Sequence, residues 1–387
     1  MSAVAELERI CPPATDGEIA AINLASARRR AWSRFAEDAC RDGVAETIVE
    51  QEQLAAQFVG DLTALDRLEA LAAELARVDE ASPRTALVAA QVASATHRFA
   101  DARRHLARAE QLGAAATAVH RQRLSIDQAC ATRLDAVLDA RRRIAAATGG
   151  LEDLVPLGAL LADMERYDEA DAAYRQALGA YDDVSPFPLA WACFQLGVLW
   201  GEVVPEPETN RAALWYRRAV DYLPGYVKAR VHLAEICAGG SRPDEAEALL
   251  EPARSSGDPE VAWRLADALT AQSRSEEAKA ELDAARAGFE GLLSRHPLAF
   301  ADHAAEFYAG SGNDLPRALE LARTNFANRP TRRAFEQAYA IALSAGDAVA
   351  ASELRATATQ PLAGTAAFRH SPLATWRTES ISDGGFA

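Results

Sequence analysis

The chain has 387 residues, 49% of them hydrophobic, and a formal net charge of −15. That composition supports a large core, and a field of that sign disfavours nucleic acid and anionic membrane as partners. The five cysteines are scattered without C-x-x-C spacing and read as reduced, buried thiols rather than a disulfide or zinc framework. No stretch approaches 18 uninterrupted apolar residues, and the acidic N-terminus lacks a secretory apolar region, so a soluble, cytoplasmic protein is expected.

Residues 1–16, with Pro12-Pro13, read as a flexible lead-in. Asp16-Gly17 predicts a helix start, and 17–41 carry Ile19, Ile22, Ala25, Trp32 and Phe35 at helical spacing until Asp42-Gly43 breaks them. Two further helices are expected over about 44–59 and 61–79, split at Gly60-Asp61. The second bears the stripe Leu62, Leu65, Leu68, Leu71, Leu75 and Val78. The block 17–80 has no repeat pattern and reads as an N-terminal helical cap or degenerate hairpins.

Ser82-Pro83 opens a helical array over 81–358, with proline at a tolerated first-turn position. Residues 98–143 hold ten arginines against five acids, which reads as solvated helix faces, with a basic docking surface as the second reading. The stretch GEVVPEPETN at 201–210 lengthens one hairpin turn and reads as a surface insertion; a long connection of this kind is otherwise functional. Residues 359–387 are rich in Gly, Pro, Ser and Thr and read as a flexible tail, in which Phe368-Arg369-His370 and Trp376-Arg377 have the look of a linear motif. Lys228 and Lys279 are the only lysines among many arginines and alanines, a bias associated with GC-rich bacterial genomes.

Within the array an alanine recurs in phase. Ala102, Ala136 and Ala170 are 34 residues apart, Ala212 and Ala246 are again 34 apart, and Ala278 and Ala318 follow. A period near 34 marks stacked helical hairpins. From Leu154 the chain reads Leu154-x2-Leu157-Gly158-x2-Leu161, then Ala170-x3-Tyr174-x2-Ala177. The pattern returns as Cys193-x2-Leu196-Gly197-x2-Trp200 with Ala212-x3-Tyr216-x2-Ala219, and in looser form from Arg230 and Ala262. The small residues Gly158, Gly197, Ala234 and Ala266 let two helices approach closely, and larger neighbours fill the space between hairpins.

These residues resemble the tetratricopeptide repeat, strongest over 151–290 and weaker toward both ends. The resemblance implies an all-α, right-handed α-solenoid of stacked helix-turn-helix hairpins with an N-terminal helical cap. It also implies a concave wall lined by first-helix residues. Carried over by register, these are Trp191, Phe194, Val198 and Glu202; Lys228, Val231 and Glu235; Glu260, Trp263 and Asp267; and Phe300, His303 and Phe307. Chaperone-adaptor members hold a carboxylate with a lysine and an asparagine of one repeat. Here those places hold pairs such as Phe194 and Val198, or Trp263 and Asp267, so no such clamp is present.

No phosphate loop, nucleophile elbow or H-E-x-x-H occurs. His232 with Glu235 and His303 with Glu306 stand at i, i+3, but each pair lacks the further ligands of a metal site. No catalytic residue, cofactor or metal is expected. The reading is a non-enzymatic scaffold that binds a protein or peptide, with apolar and basic groups, in an aromatic and acidic groove. The alternatives are a peptide-sensing regulator and a non-catalytic subunit of an enzyme.

Overall fold

The structure, a computed structural model, describes residues 10–362, which contain nineteen α-helices and no strand. Asp16 starts α1 (Gly17–Glu37) by accepting from the Glu18 and Ile19 amides, as its side chain and the following glycine foretell. Gly43 and Gly60, both left-handed, bound α2 (Val44–Val59), which folds back onto α3 (Ala64–Val78). The leucine stripe of α3 is buried through Leu65, Leu68, Leu71 and Leu75.

Eight hairpins follow: α4 (Pro83–Ala95) with α5 (Phe99–Gln111), α6 (Ala116–Ala129) with α7 (Leu134–Thr148), α8 (Leu151–Asp163) with α9 (Tyr167–Ala180), and α10 (Pro186–Val198) with α11 (Thr209–Tyr222). Next come α12 (Val227–Gly239) with α13 (Pro243–Leu250), α14 (Pro259–Ala271) with α15 (Ser275–Arg295), α16 (Pro297–Ala309) with α17 (Leu315–Asn328), and α18 (Arg332–Ser344) with α19 (Ala348–Leu362).

The turn inside the hairpins is a repeated device. His97, Glu165, Ser241, Ser273 and Asn313 all have positive φ and all stand two residues before the second helix. In four of these turns the next amide bonds the carbonyl five residues back: Arg98 to Ala93, Arg166 to Leu161, Arg242 to Cys237 and Arg274 to Leu269. This closes the helix end in the manner of a Schellman motif. Those four arginines each pair with an acid three residues on, Asp101, Glu169, Glu245 and Glu277, and so tether the turns to the helix starts.

The repeat alanine is the fourth residue of the second helix and is buried at Ala102, Ala170, Ala212, Ala246, Ala278 and Ala318. Ala136 is the exception. It is exposed, and Val137 occupies the equivalent place in α7 with 2% exposure. Its spacing from Ala102 and Ala170 is coincidental.

The glycines of α8 and α10 make the closest crossings. A Cβ on Gly197 would lie 2.4 Å from Cε1 of Tyr216, and one on Gly158 2.6 Å from Cε1 of Tyr174. Tyr216 has no room to retreat, being 1% exposed with its hydroxyl donating to Glu202 at 2.8 Å. Gly197→Ala is therefore expected to cost about 1–3 kcal/mol by overpacking. Gly179→Ala, in a helix with nothing within 4 Å of the new methyl, should be neutral or gain up to about 1 kcal/mol. Urea unfolding of both variants checks the register; equal midpoints would refute it.

The solenoid winds tightly enough for successive turns to touch edge to edge. Phe58 of α2 packs its ring on Phe187 and Tyr226. Asp66 of α3 accepts from Arg295 and His296, the latter at 2.8 Å across 230 positions. The His97 ring meets the Leu298 carbonyl at 3.2 Å, and its own carbonyl accepts from Asn328 at 2.8 Å. Farther along, Glu165 accepts from Arg332. The block expected as a terminal cap thus packs against helices far along the chain.

The expected lead-in is seated where it is described. Cys11 is 7% exposed, the Pro12 carbonyl accepts from the Tyr222 hydroxyl at 2.6 Å, and the Thr15 amide donates to Val184. Residues 1–9 and the expected tail, apart from 359–362 in α19, lie outside the described residues, and so do the Phe368 and Trp376 motifs.

Candidate binding site

The first helices α10, α12, α14 and α16 carry the residues expected along the concave face. Arg333, at the start of α18, reaches Glu202 at 3.2 Å across 131 positions. Glu202 is there because α10 does not stop at Val198. Residues Leu199–Val203 continue as a π-helical turn, and the Glu208 amide then returns to the Trp200 carbonyl at 2.7 Å. Arg211 lies 3.4 Å over the Trp200 ring, whose Nε1 donates to Asp171 at 2.8 Å. The first half of the 201–210 insertion is therefore ordered structure that brings the Glu202 carboxylate to Tyr216, His232 and Arg333.

The expected wall residues divide by polarity. The apolar ones are largely structural: Phe194 is 8% exposed, Val231 2%, Trp263 4% and Phe307 0%. Phe194 packs on Tyr216, Tyr226 and His232, while Trp263 packs on Phe289 and Phe307 and donates Nε1 to Ser311 at 3.0 Å. Phe300 is half-buried against the α1–α4 core, and Trp191 and Val198 are also half-buried. The aromatic half of the expected groove is mostly hairpin packing, because in stacked hairpins the same spacing faces both the neighbour and the concavity.

The polar residues do converge. Glu202 accepts from Tyr216 and pairs with His232 Nδ1 at 2.6 Å. Burial alone would raise its carboxyl, but His232, Arg333 and the Tyr216 hydroxyl outweigh that and hold it at about 2. His303 Nδ1 pairs with Glu260 at 2.6 Å. The Glu260 charge, with help from Asp302, lifts the imidazole to about 9 against burial. Asp258, buried and next to Glu260, is pushed up to about 6. The histidines thus pair across helices, not with the i+3 glutamates, and among the described residues no group of three metal-ligating side chains converges.

At the centre sits Arg264, stacked 3.7 Å over Trp263. Its guanidinium faces Glu235 at 3.1 Å, Asp267 at 3.6 Å and Glu306 at 3.6 Å. Glu235 is held above its ordinary range by burial, then by Glu306 and Glu202, against the pull of Arg264 and His232. Asp163, at the end of α8, is pushed up to about 6 by the protein around it, although Arg333 and Arg329 pull the other way. Its residue surface is nonetheless open to solvent. Lys228, half-buried, is near enough to act on both Asp258 and Glu260. Arg264, Glu306, Arg333 and Asp163 were not expected from register; only the recurrence of acids along the first helices hinted at them.

The arginine-rich stretch 98–143 is mostly neutralised within the fold. Arg103 and Arg133 share Asp127, Arg121 pairs with Asp153, Arg123 with Glu110 and Arg142 with Glu169. Among the described residues no helix is long and apolar enough to cross a membrane.

No protein-family model and no curated protein matches this chain. Among solved structures it is similar to PilW, a widely conserved type IV pilus biogenesis factor, at 15% identity and TM-score 0.32, over 57% of this chain and 96% of that one. It is also similar to the Cut9–Hcn1 hetero-tetramer of APC/C, at 11% identity and TM-score 0.36, over 82% of this chain and 52% of that one, so it spans about half of that relative. A third is the human IFIT1 dimer with m7Gppp-AAAA, at 16% identity and TM-score 0.39, over 79% and 76%. At these identities the likeness carries nothing about partners. The hairpins, their left-handed turns and the Gly–Tyr crossings make this a tetratricopeptide-type helical-repeat fold.

Proposed function

We propose that the chain is a non-enzymatic scaffold that holds a basic, extended segment of a partner protein along its concave face. The observation that carries this reading is the convergence of Glu235, Asp267 and Glu306 on the one Arg264 guanidinium, with His232 and Arg333 as the further cations that act on Glu235 and Glu306. Like-charged carboxylates so arranged are relieved by an added cation, and an arginine or lysine of a partner supplies one. Half-buried Trp191 and Val198 offer limited apolar contact beside them. The free thiols fit a reducing compartment such as the cytoplasm.

The test is fluorescence anisotropy with a labelled ten-residue arginine- and leucine-containing peptide, an acidic peptide of equal length and a short oligoribonucleotide. The basic peptide is expected to bind in a salt-sensitive way. Glu235→Gln with Glu306→Gln should weaken it about tenfold, or about 1.4 kcal/mol, with unchanged circular dichroism. Preference for the acidic peptide or the oligoribonucleotide would overturn the proposal.

A further inference from the structure

The turn between α6 and α7 departs from the repeated device. Ala131 has the positive φ, and the Thr132 amide bonds the Asp127 carbonyl five residues back at 2.7 Å, as the turn arginines do elsewhere. The helix does not start there. Arg133 is inserted first, itself left-handed at φ 52°, and α7 begins one residue late. This insertion is what moves the buried position from Ala136 to Val137. It also redirects an arginine. Three residues on from Arg133 stands an alanine where the other turns carry an acid, so Arg133 turns back and donates to Asp127 of α6 at 2.5 Å.

The redirected guanidinium lines a cavity of about 220 Å³ at the junction of α5 and α6. Leu106, Ala107 and Ile126 are its apolar lining, and Arg103, Arg123, Arg133 and Asp127 supply its charges. Asp127, 4% exposed, gives one oxygen to Arg133 and the other to Arg103 at 3.1 Å. Arg123 donates to Glu110, which does not line the cavity and is 58% exposed, so open an ion pair that it holds Arg123 weakly. Asp101 is taken by Arg98 and Arg104, and Asp135, exposed at the start of α7, does not line the cavity either. The lining thus carries three guanidiniums against one carboxylate.

We infer that this cavity is a binding site for a small oxyanion of the phosphate class, free or as the monoester of a small molecule. An excess of two positive charges is matched by a dianion and only half matched by chloride or a carboxylate. Planar guanidiniums meet phosphate oxygens with paired hydrogen bonds. Size and field select against larger polyanions. The cavity has the volume of about seven waters at ~30 Å³ each and falls below the ~300 Å³ at which drug-sized ligand sites begin. The net charge of −15 repels nucleic acid at long range. A bound oxyanion ties α5 to α6 and the inserted turn, and so stabilises the folded chain by mass action. The site shares no residue with the carboxylates of the concave face, so its occupancy does not depend on that face binding a partner.

The test is calorimetric titration of the full chain at constant ionic strength, slightly above neutral pH, where the phosphate class is dianionic. Sodium phosphate, glycerol phosphate, sodium chloride and a short oligoribonucleotide are compared. Phosphate or glycerol phosphate is expected to bind once per chain and to raise the thermal midpoint with its concentration, and chloride to do neither. Arg133→Gln and Arg123→Gln should each weaken binding about tenfold. Arg142→Gln, which removes an exposed arginine paired with Glu169, should leave it unchanged. Circular dichroism confirms that each variant is folded. Tighter binding of glycerol phosphate supports the site with an esterified ligand, and tighter binding of phosphate supports it with the free ion. Absence of saturable binding of either to the wild-type chain would overturn the inference. So would an equal loss in Arg142→Gln, or an oligoribonucleotide bound more tightly than both through the same arginines.

Discussion

Replacing Glu52 by alanine should destabilise the chain by about 3 kcal/mol, the lower end of the range for breaking a buried ion pair. Glu52 has no exposed surface, yet it accepts from Arg28 at 2.7 Å, from Trp32 Nε1 at 2.7 Å and from Arg67 at 2.8 Å. Asp61 completes the square by accepting from both arginines. Without Glu52 the Arg28 guanidinium, 16% exposed, loses its closest acceptor, whereas Arg67, 34% exposed, regains water. That partial rehydration is why the lower end applies. Because α2 and α3 carry Phe58 and Asp66, the contacts to the second superhelical turn, the loss should appear first as faster amide hydrogen exchange in α1–α3. An unchanged urea midpoint would sink the claim.

The same carboxylate gives a pH dependence of definite sign. Burial would raise Glu52, but the hydrogen bonds from Arg67, Trp32 and Arg28 prevail and lower it below its ordinary range. A folded value below the unfolded one means that the stabilisation is present above the unfolded value, roughly 4.3. It is lost as pH falls toward the folded value. Glu52→Gln should therefore differ from the parent most near neutrality and converge with it in acid. A constant offset from neutrality down through acid would contradict this linkage.

The repeat was legible because close helix crossings demand small residues at fixed offsets, and Gly158, Gly197 and the phased alanines supply them. Phase alone misassigned Ala136, since a spacing of 34 says nothing about which way a side chain faces once a turn shifts by one residue. Among the positions carried over by register, Glu202, Glu235, Glu260, Asp267 and His303 make ion pairs with side chains of the first helices. The carry-over did not distinguish concave aromatics from packing ones, because Phe194, Trp263 and Phe307 sit where both faces meet. The contacts that close the solenoid were not legible at all. Arg333 with Glu202 and Asp66 with His296 span 131 and 230 positions. Such pairings depend on superhelical pitch, a sum of small rotations at every hairpin, and leave no local periodicity.

The position of a repeat alanine, rather than its presence, decides what a charge does there, and Ala246 gives the larger of the two effects to be compared. It is 1% exposed in a cluster with Val231, Ala234, Cys237, Leu250 and Ala253. Its helix α13 has only eight residues before the chain tightens into the 3₁₀ turn Glu251–Ser256, so little length remains to absorb a bulkier side chain. The nearby arginines are engaged: Arg230 donates to the Pro224 and Leu249 carbonyls, and Arg217 and Arg242 pair with Glu245. Ala246→Glu thus combines overpacking with an unpaired buried carboxylate and is expected to cost on the order of 3 kcal/mol or more. Ala248→Glu, exposed on the same helix, and Ala136→Glu, exposed on α7, should each stay within about 0.5 kcal/mol of the parent. Thermal and urea melts of the three variants separate the cases. A tolerated charge at 246 would refute the close crossing, and a damaging one at 136 would restore that alanine to the core.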